Sequence, residues 1–168
     1  MCGIAGYIGP NDLDKKTIEE CLNSMANRGP DNNGYVKHKF GKFNIFLLHS
    51  RLSIIDLNNK SNQPVDNQHG SLVYNGEIYN FRKLLSKNQS NNNQNLSSDT
   101  IFLYNFLAQS RNIQKDLDQL DGMWAFGFLD KNNNKFYLSR DRFGEKPLYI
   151  YRRYNEVFFA SEIKQIFT

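Results

Sequence analysis

The sequence predicts an α+β domain in which antiparallel sheets carry helices on their outer faces, and three observations point there. A chain of 168 residues is long enough to bury most of its apolar surface in one domain without cross-links. With 39% hydrophobic and 14% aromatic residues, and apolar runs interrupted every few positions, the composition suits a soluble globular fold rather than a disordered chain. Segments of strand character follow one another across short turns without strict strand-helix alternation, which disfavours a doubly wound parallel sheet.

Taken in order, Gly3 to Ile8 is an apolar first strand. From Thr17 to Arg28, the residues Ile18, Cys21, Leu22, Met25 and Ala26 recur at helical spacing, and Gly29-Pro30 supplies the stop. Tyr35 to Phe40 and Phe43 to Leu48 flank Gly41-Lys42 and form a hairpin. Ser71 to Tyr74 is a further strand, expected to end at Asn75-Gly76. Ser86 to Ser97 is dominated by Asn, Gln and Ser and is expected to be a surface loop. A second helix starts at Ser98, carrying Ile101, Phe102, Tyr104 and Leu107. Met123 to Leu129 then pairs with Lys135 to Ser139 across Asn132 to Asn134. Strands Leu148 to Tyr151 and Val157 to Ala160 precede a helical turn from Glu162.

Several function classes are disfavoured by composition. The net charge of +4 comes from 21 basic and 17 acidic residues, scattered without the basic run of a nucleic-acid footprint. No window reaches 18 uninterrupted apolar residues, and MCGIAGYIGP lacks the basic start and long apolar stretch of a signal peptide. A cytoplasmic protein with neither nucleic acid nor membrane as a partner is expected, and its two cysteines should then be free thiols. His38, His49 and His69 do not share metal-ligand spacing, so no metal is expected. Arg140-Asp141-Arg142 has no glycine-rich phosphate loop beside it and is expected to be an ion-pair network. His49 is expected to be a hydrogen-bonding scaffold.

Cys21 lies on the apolar face of the first helix and belongs to the core. Cys2 differs, because removal of Met1 would make it the amino-terminal residue, and its own α-amine could then act as base for its thiol. A thiol titrates near about 8.5 and an α-amine near about 7.7 to 8.0, so the two are matched around neutral pH without a histidine. By position alone, Cys2 also fits a small residue at a loose terminus.

The stretch MCGIAGYIG resembles the start of class II glutamine amidotransferases, in which an amino-terminal cysteine attacks the side-chain amide of glutamine. Five further blocks resemble the asparagine synthetase branch of that family: RGPD (Arg28 to Asp31), HSRLSIID (His49 to Asp56), NGEIYN (Asn75 to Asn80), SRDRFGEKPLYI (Ser139 to Ile150) and FASEIK (Phe159 to Lys164). Order and spacing agree over essentially the whole chain. The resemblance implies an N-terminal nucleophile hydrolase fold, a four-layer αββα sandwich of two antiparallel sheets. It also implies hydrolysis of L-glutamine to glutamate and ammonia by one glutamine amidotransferase type 2 domain over residues 2–168.

Glutamine carries a carboxylate, an ammonium and a neutral amide, so a selective pocket needs a cation, an anion and donors aimed at the carbonyl. Arg51 offers a planar fork for the carboxylate, a role the resemblance also gives it. The resemblance places Leu52, Ser53, Ile54 and Ile55 along the same pocket. Asn75 and Gly76 hold an amide NH2 and a backbone N–H suited to an oxyanion hole, although Asn-Gly on its own is a turn signal. By resemblance, Cys2, Asn75 and Gly76 are catalytic, and Glu77 and Asp99 face the substrate ammonium. Two departures stand out. Ile101 occupies the place of a capping-box glutamate after Ser98, which should hold Asp99 less rigidly, and Asn27 sits where a histidine often precedes RGPD.

Asparagine synthetases carry a second domain that uses ATP and magnesium, and no block of that kind is expected in this chain. The expectation is therefore no cofactor here, and a synthetase domain in the same or another chain as partner. A rival reading from another class is a glutamine-binding regulatory or interaction module without turnover.

Overall fold

The computed structural model describes residues 1–52, 62–87 and 98–168. Its first strand, β1 (Gly3–Gly9), is followed by helix α1 (Lys15–Ser24) and the hairpin of β2 (Asn32–Phe40) and β3 (Phe43–Arg51). Then come the short β4 (Val65–Asp66), the long β5 (Gly70–Ile78), and helices α2 (Phe81–Lys87), α3 (Asp99–Gln109) and α4 (Ile113–Leu117). Strands β6 (Gly122–Asp130), β7 (Lys135–Arg140), β8 (Tyr149–Arg153) and β9 (Glu156–Ala160) complete the sheets before a 3-10 helix, Ile163–Ile166.

The strands form two antiparallel sheets, one ordered β2-β3-β1-β9-β8 and the other β4-β5-β6-β7. Because successive side chains of a strand point to opposite faces, each sheet buries residues on both sides, and the core divides into three layers. Ile4, Ile45, Leu47, Val73, Ala125, Leu129 and Phe159 meet between the sheets. Ile18, Cys21, Leu22 and Met25 of α1 and the turn after it pack on the outer face of the first sheet, against Tyr7, Phe46 and Leu48. Phe102, Leu103 and Leu107 of α3 cover the second sheet through Leu72, Tyr74, Phe126 and Phe128. The architecture is therefore the αββα sandwich expected from the sequence. Among the described residues no helix is long and apolar enough to cross a membrane.

The strand expectations agree with the structure to within a few residues, and three other expectations need correction. The first helix is capped by Asp14, whose carboxylate accepts from Thr17 N–H at 2.7 Å, and it ends at Ser24 rather than running to Arg28. Tight turns take over there, with Met25 N–H bonded to Leu22 O and Arg28 N–H to Met25 O. Ser86 and Lys87, expected in a loop, finish α2, and positions 88–97 lie outside the described residues. Asn75-Gly76 is no strand end. Both sit inside β5, opposite Ala125 and Trp124 of β6, and glycine is required because a Cβ at position 76 would come within 2.2 Å of Met123 O.

Candidate functional site

The site lies where β1 and β3 of one sheet meet β5 of the other. Antiparallel pairing of β1 with β3 sets Gly3 opposite Ser50, and this register carries Cys2 to the end of β3. There the Leu52 N–H points at Cys2 Sγ over 3.5 Å, and the thiol faces Leu52 O at 3.8 Å. Arg28 holds the main chain of the same residue, donating from Nε to Cys2 O at 3.1 Å while its guanidinium pairs with Glu162 at 3.1 Å. Cys2 is half-buried, and Cys21 is buried with its thiol pushed up to about 11 by burial. Of the two thiols, Cys2 is the more accessible, and a buried apolar thiol such as Cys21 is not ionised near neutral pH.

Arg51, at the end of β3, is 6% exposed, and Nη1 donates to Asn62 Oδ1 at 2.6 Å. Across the sandwich, Asn75 is 2% exposed, and its Nδ2 is buried with no hydrogen-bond partner. An amide donor left unmade in a protein interior is costly, which makes it a position where a ligand oxygen would be bound strongly.

The direction of the Gly76 N–H follows from the ladder. In an antiparallel strand a residue's N–H and C=O point to the same side, and the side alternates along the chain. Trp124, opposite Gly76, turns both groups toward Asp141 beyond the far side of β6, with Trp124 N–H to Asp141 Oδ2 at 3.3 Å and Asp141 N–H to Trp124 O at 2.8 Å. Gly76 therefore presents its N–H to the other edge of β5, where β4 pairs only with Leu72 and Ser71.

Tyr74 is a member of this site that the sequence did not single out. Its hydroxyl donates to Asp99 Oδ2 at 2.9 Å, and the same oxygen accepts from Ile78 N–H at 3.1 Å. Burial raises the Tyr74 pKa well above its usual value, and the charges of Asp99, Glu77 and Cys2 add to the effect. Asp99 bonds this hydroxyl directly, and Glu77 and Cys2 act on it through their charge. The Asp99 pKa is also raised, burial outweighing the hydrogen bonds from Ile78 and Tyr74. Ser98 makes no side-chain cap, in keeping with the missing glutamate, yet Asp99 is secured from β5 instead. No local signal in the sequence links positions 74 and 99, because the contact joins a strand to a helix.

His49 is 0% exposed, and neither ring nitrogen makes a hydrogen bond of good geometry. Burial holds its pKa down to about 3, against a rise from the nearby Tyr74 backbone and with a further lowering from Arg51. It is a neutral core group, and its polar neighbour is the Tyr74 backbone. Ser53, Ile54 and Ile55, expected along the pocket, lie outside the described residues. Among the described residues no group of three or more His, Cys, Asp or Glu could hold a metal ion.

Compared with known proteins, residues 1–168 match the model of the glutamine amidotransferase domain. The chain belongs to that family. It is 36% identical over 187 residues to the putative asparagine synthetase [glutamine-hydrolyzing] 2 of Methanocaldococcus jannaschii, covering 99% of this chain and 35% of that protein. It is 37% identical over 179 residues to asparagine synthetase [glutamine-hydrolyzing] 2 of Bacillus subtilis, covering 100% of this chain and 22% of that protein. The amidotransferase domain thus spans about a third or less of these relatives. Among solved structures, it matches the glutamine phosphoribosylpyrophosphate amidotransferase of B. subtilis complexed with ADP and GMP. The TM-score is 0.76 at 20% identity, over 98% of this chain and 43% of that one. The allosteric regulatory enzyme of purine biosynthesis matches at a TM-score of 0.77 and 20% identity, with the same coverage. These two matches carry the fold alone, two antiparallel sheets with helices on both outer faces.

Proposed function

We propose that this amidotransferase domain hydrolyses L-glutamine to glutamate and ammonia with Cys2 as nucleophile, and that the ammonia serves asparagine synthesis from aspartate and ATP. The synthetase active site would lie on a partner domain in the same or another chain, as the names and lengths of the relatives suggest. The observation that carries the reading is the buried, unpartnered Asn75 amide in a site that also holds the Cys2 thiol.

Removal of Met1 frees the Cys2 α-amine, which takes the thiol proton. The Leu52 N–H faces the sulfur as it becomes anionic. Arg51 pairs with the substrate carboxylate, and Glu77 and Asp99 receive the ammonium. Asp99 suits this, because a buried carboxylate with a raised pKa gains from an incoming cation. The thiolate attacks the side-chain carbonyl carbon, and Asn75 Nδ2 and Gly76 N–H donate to the oxyanion. Collapse of the adduct breaks the C–N bond, and the ammonium on Cys2 returns its proton to the departing nitrogen as ammonia leaves. Water then hydrolyses the thioester to glutamate, regenerating the thiol.

The test is ammonia and glutamate release from L-glutamine by protein with a free Cys2 amine, against Cys2→Ala and against protein retaining Met1. Thiol and amine act as one unit, so losing either should remove nearly the whole chemical step. Equal turnover by Cys2→Ala, or by protein shown by intact mass to retain Met1, would refute the mechanism.

A further inference from the structure

The open edge of β5 is where the oxyanion donor Gly76 sits, and something other than a strand sets its geometry. Residues 72, 74, 76 and 78 present their N–H and C=O to this edge. Leu72 faces Val65 of β4. Continuing that register backwards along the partner chain would put Gln63 opposite Tyr74, but the ladder stops at Val65, the first residue of β4. The Gln63 side chain substitutes for the strand. Its Nε2 donates to Tyr74 O at 3.0 Å, and its Oε1 accepts from Tyr74 N–H at 2.6 Å. Gln63 is buried, so this pair of bonds is shielded from water. The next edge position is Gly76, and after it Ile78 is held by Asp99. Gly76 is therefore bracketed by two side-chain clamps on an edge that no β4 residue covers.

We propose that Gln63 is a positioning residue for the oxyanion hole, fixing the Tyr74 peptide units so that Asn75 and Gly76 aim at the reacting oxygen. The role rests on the glutaminase reading given above. The neighbouring Asn62 accepts from Arg51, so one dipeptide touches both the arginine assigned to the substrate carboxylate and the strand that carries the oxyanion donors. A plain edge plug would need only to fill space and satisfy the backbone. A positioning group must also act through Asn75.

Gln63→Met keeps the length and removes both hydrogen bonds. In protein with a free Cys2 amine it should lower kcat for glutamine at least tenfold while KM moves less than threefold, because small misplacements of catalytic donors cost rate steeply. In an Asn75→Ala background the same substitution should cost at least threefold less than it does in the parent, since one of the two donors it aims is already gone. A parental kcat, a change confined to KM, or equal losses in the two backgrounds would overturn the positioning role while leaving the reaction standing. Should Gln63→Met lose its far-UV circular dichroism, Gln63→Glu, which keeps the acceptor for Tyr74 N–H, is put through the same comparison with the same outcomes. A parent that releases no ammonia from glutamine defeats the reaction itself and the positioning role with it.

Discussion

Arg51 and Asn75 are both buried polar residues, yet they should fail differently when changed. Asn75 Nδ2 has no partner in the folded protein, so its hydrogen bond is expected to matter most when charge develops on the substrate oxygen. Asn75→Ala should lower kcat about a hundredfold to a thousandfold, roughly 3 to 4 kcal/mol, with KM nearly unchanged. Arg51 already bonds Asn62 and is expected to hold a carboxylate that does not react. Arg51→Lys keeps the charge and loses the planar fork, so KM should rise with kcat close to the parent value. Steady-state kinetics on the two variants separates these outcomes. A normal kcat in Asn75→Ala would remove Asn75 from the oxyanion hole, and a normal KM in Arg51→Lys would remove Arg51 from the substrate site.

The turn after β7 shows how an element can be held by a single side chain. Asp141 is buried, and Oδ1 accepts from the N–H groups of Phe143 at 3.1 Å and Glu145 at 3.0 Å. Oδ2 accepts from Trp124 at 3.3 Å and Lys146 at 3.0 Å. Burial pushes its pKa up, but these backbone donors outweigh burial and the pKa is lowered. The arginine-flanked aspartate is thus a hub for main-chain donors rather than a member of an ion-pair network, and Arg142 instead pairs with the exposed Asp118. Asp141→Ala should cost about 2 to 4 kcal/mol, read from urea unfolding at pH 7, because it orphans several buried N–H groups together. A loss under about 1 kcal/mol would mean that water replaces the carboxylate. Such a hub is illegible in sequence, since Trp124 lies on another strand. The strands were legible because alternation and turn residues are local signals, as in the Tyr35 to Phe43 hairpin. Asn75-Gly76 was misplaced for the converse reason. A local turn signal was overridden by pairing with β6, where glycine answers a close backbone approach. Cys2 and Arg51 were legible through short motifs, whereas Tyr74 and Gln63 act through contacts across the fold.

Over the whole molecule, stability depends on pH through His49, which faces the layer between the sheets. Its folded pKa of about 3 lies far below the usual histidine value, with burial as the main cause. The unfolded chain takes up a proton near pH 6.5 while the folded state refuses it. Stability from this group is therefore complete above about pH 6.5 and is lost progressively as pH falls toward the folded pKa, with a limiting slope of about 1.4 kcal/mol per pH unit. The His38 pKa is also lowered, burial being the leading cause, so it adds a slope of the same sign. Asp141 and Glu162, whose pKa values are lowered by hydrogen bonds that outweigh burial, lose their contribution only below the ordinary carboxylate range. His49→Leu removes the buried titrating group, and no hydrogen bond of good geometry is lost with it. Urea unfolding of parent and variant at pH 7.5, 5.5 and 4.5 should show the variant gaining on the parent as pH falls below about 6.5, by about 1 kcal/mol or more per unit. His38 and the carboxylates are common to both proteins, so their contributions cancel in the difference. Parallel curves through that range would show that His49 takes up its proton in the folded state as readily as in the unfolded chain, and that its buried position admits a charge.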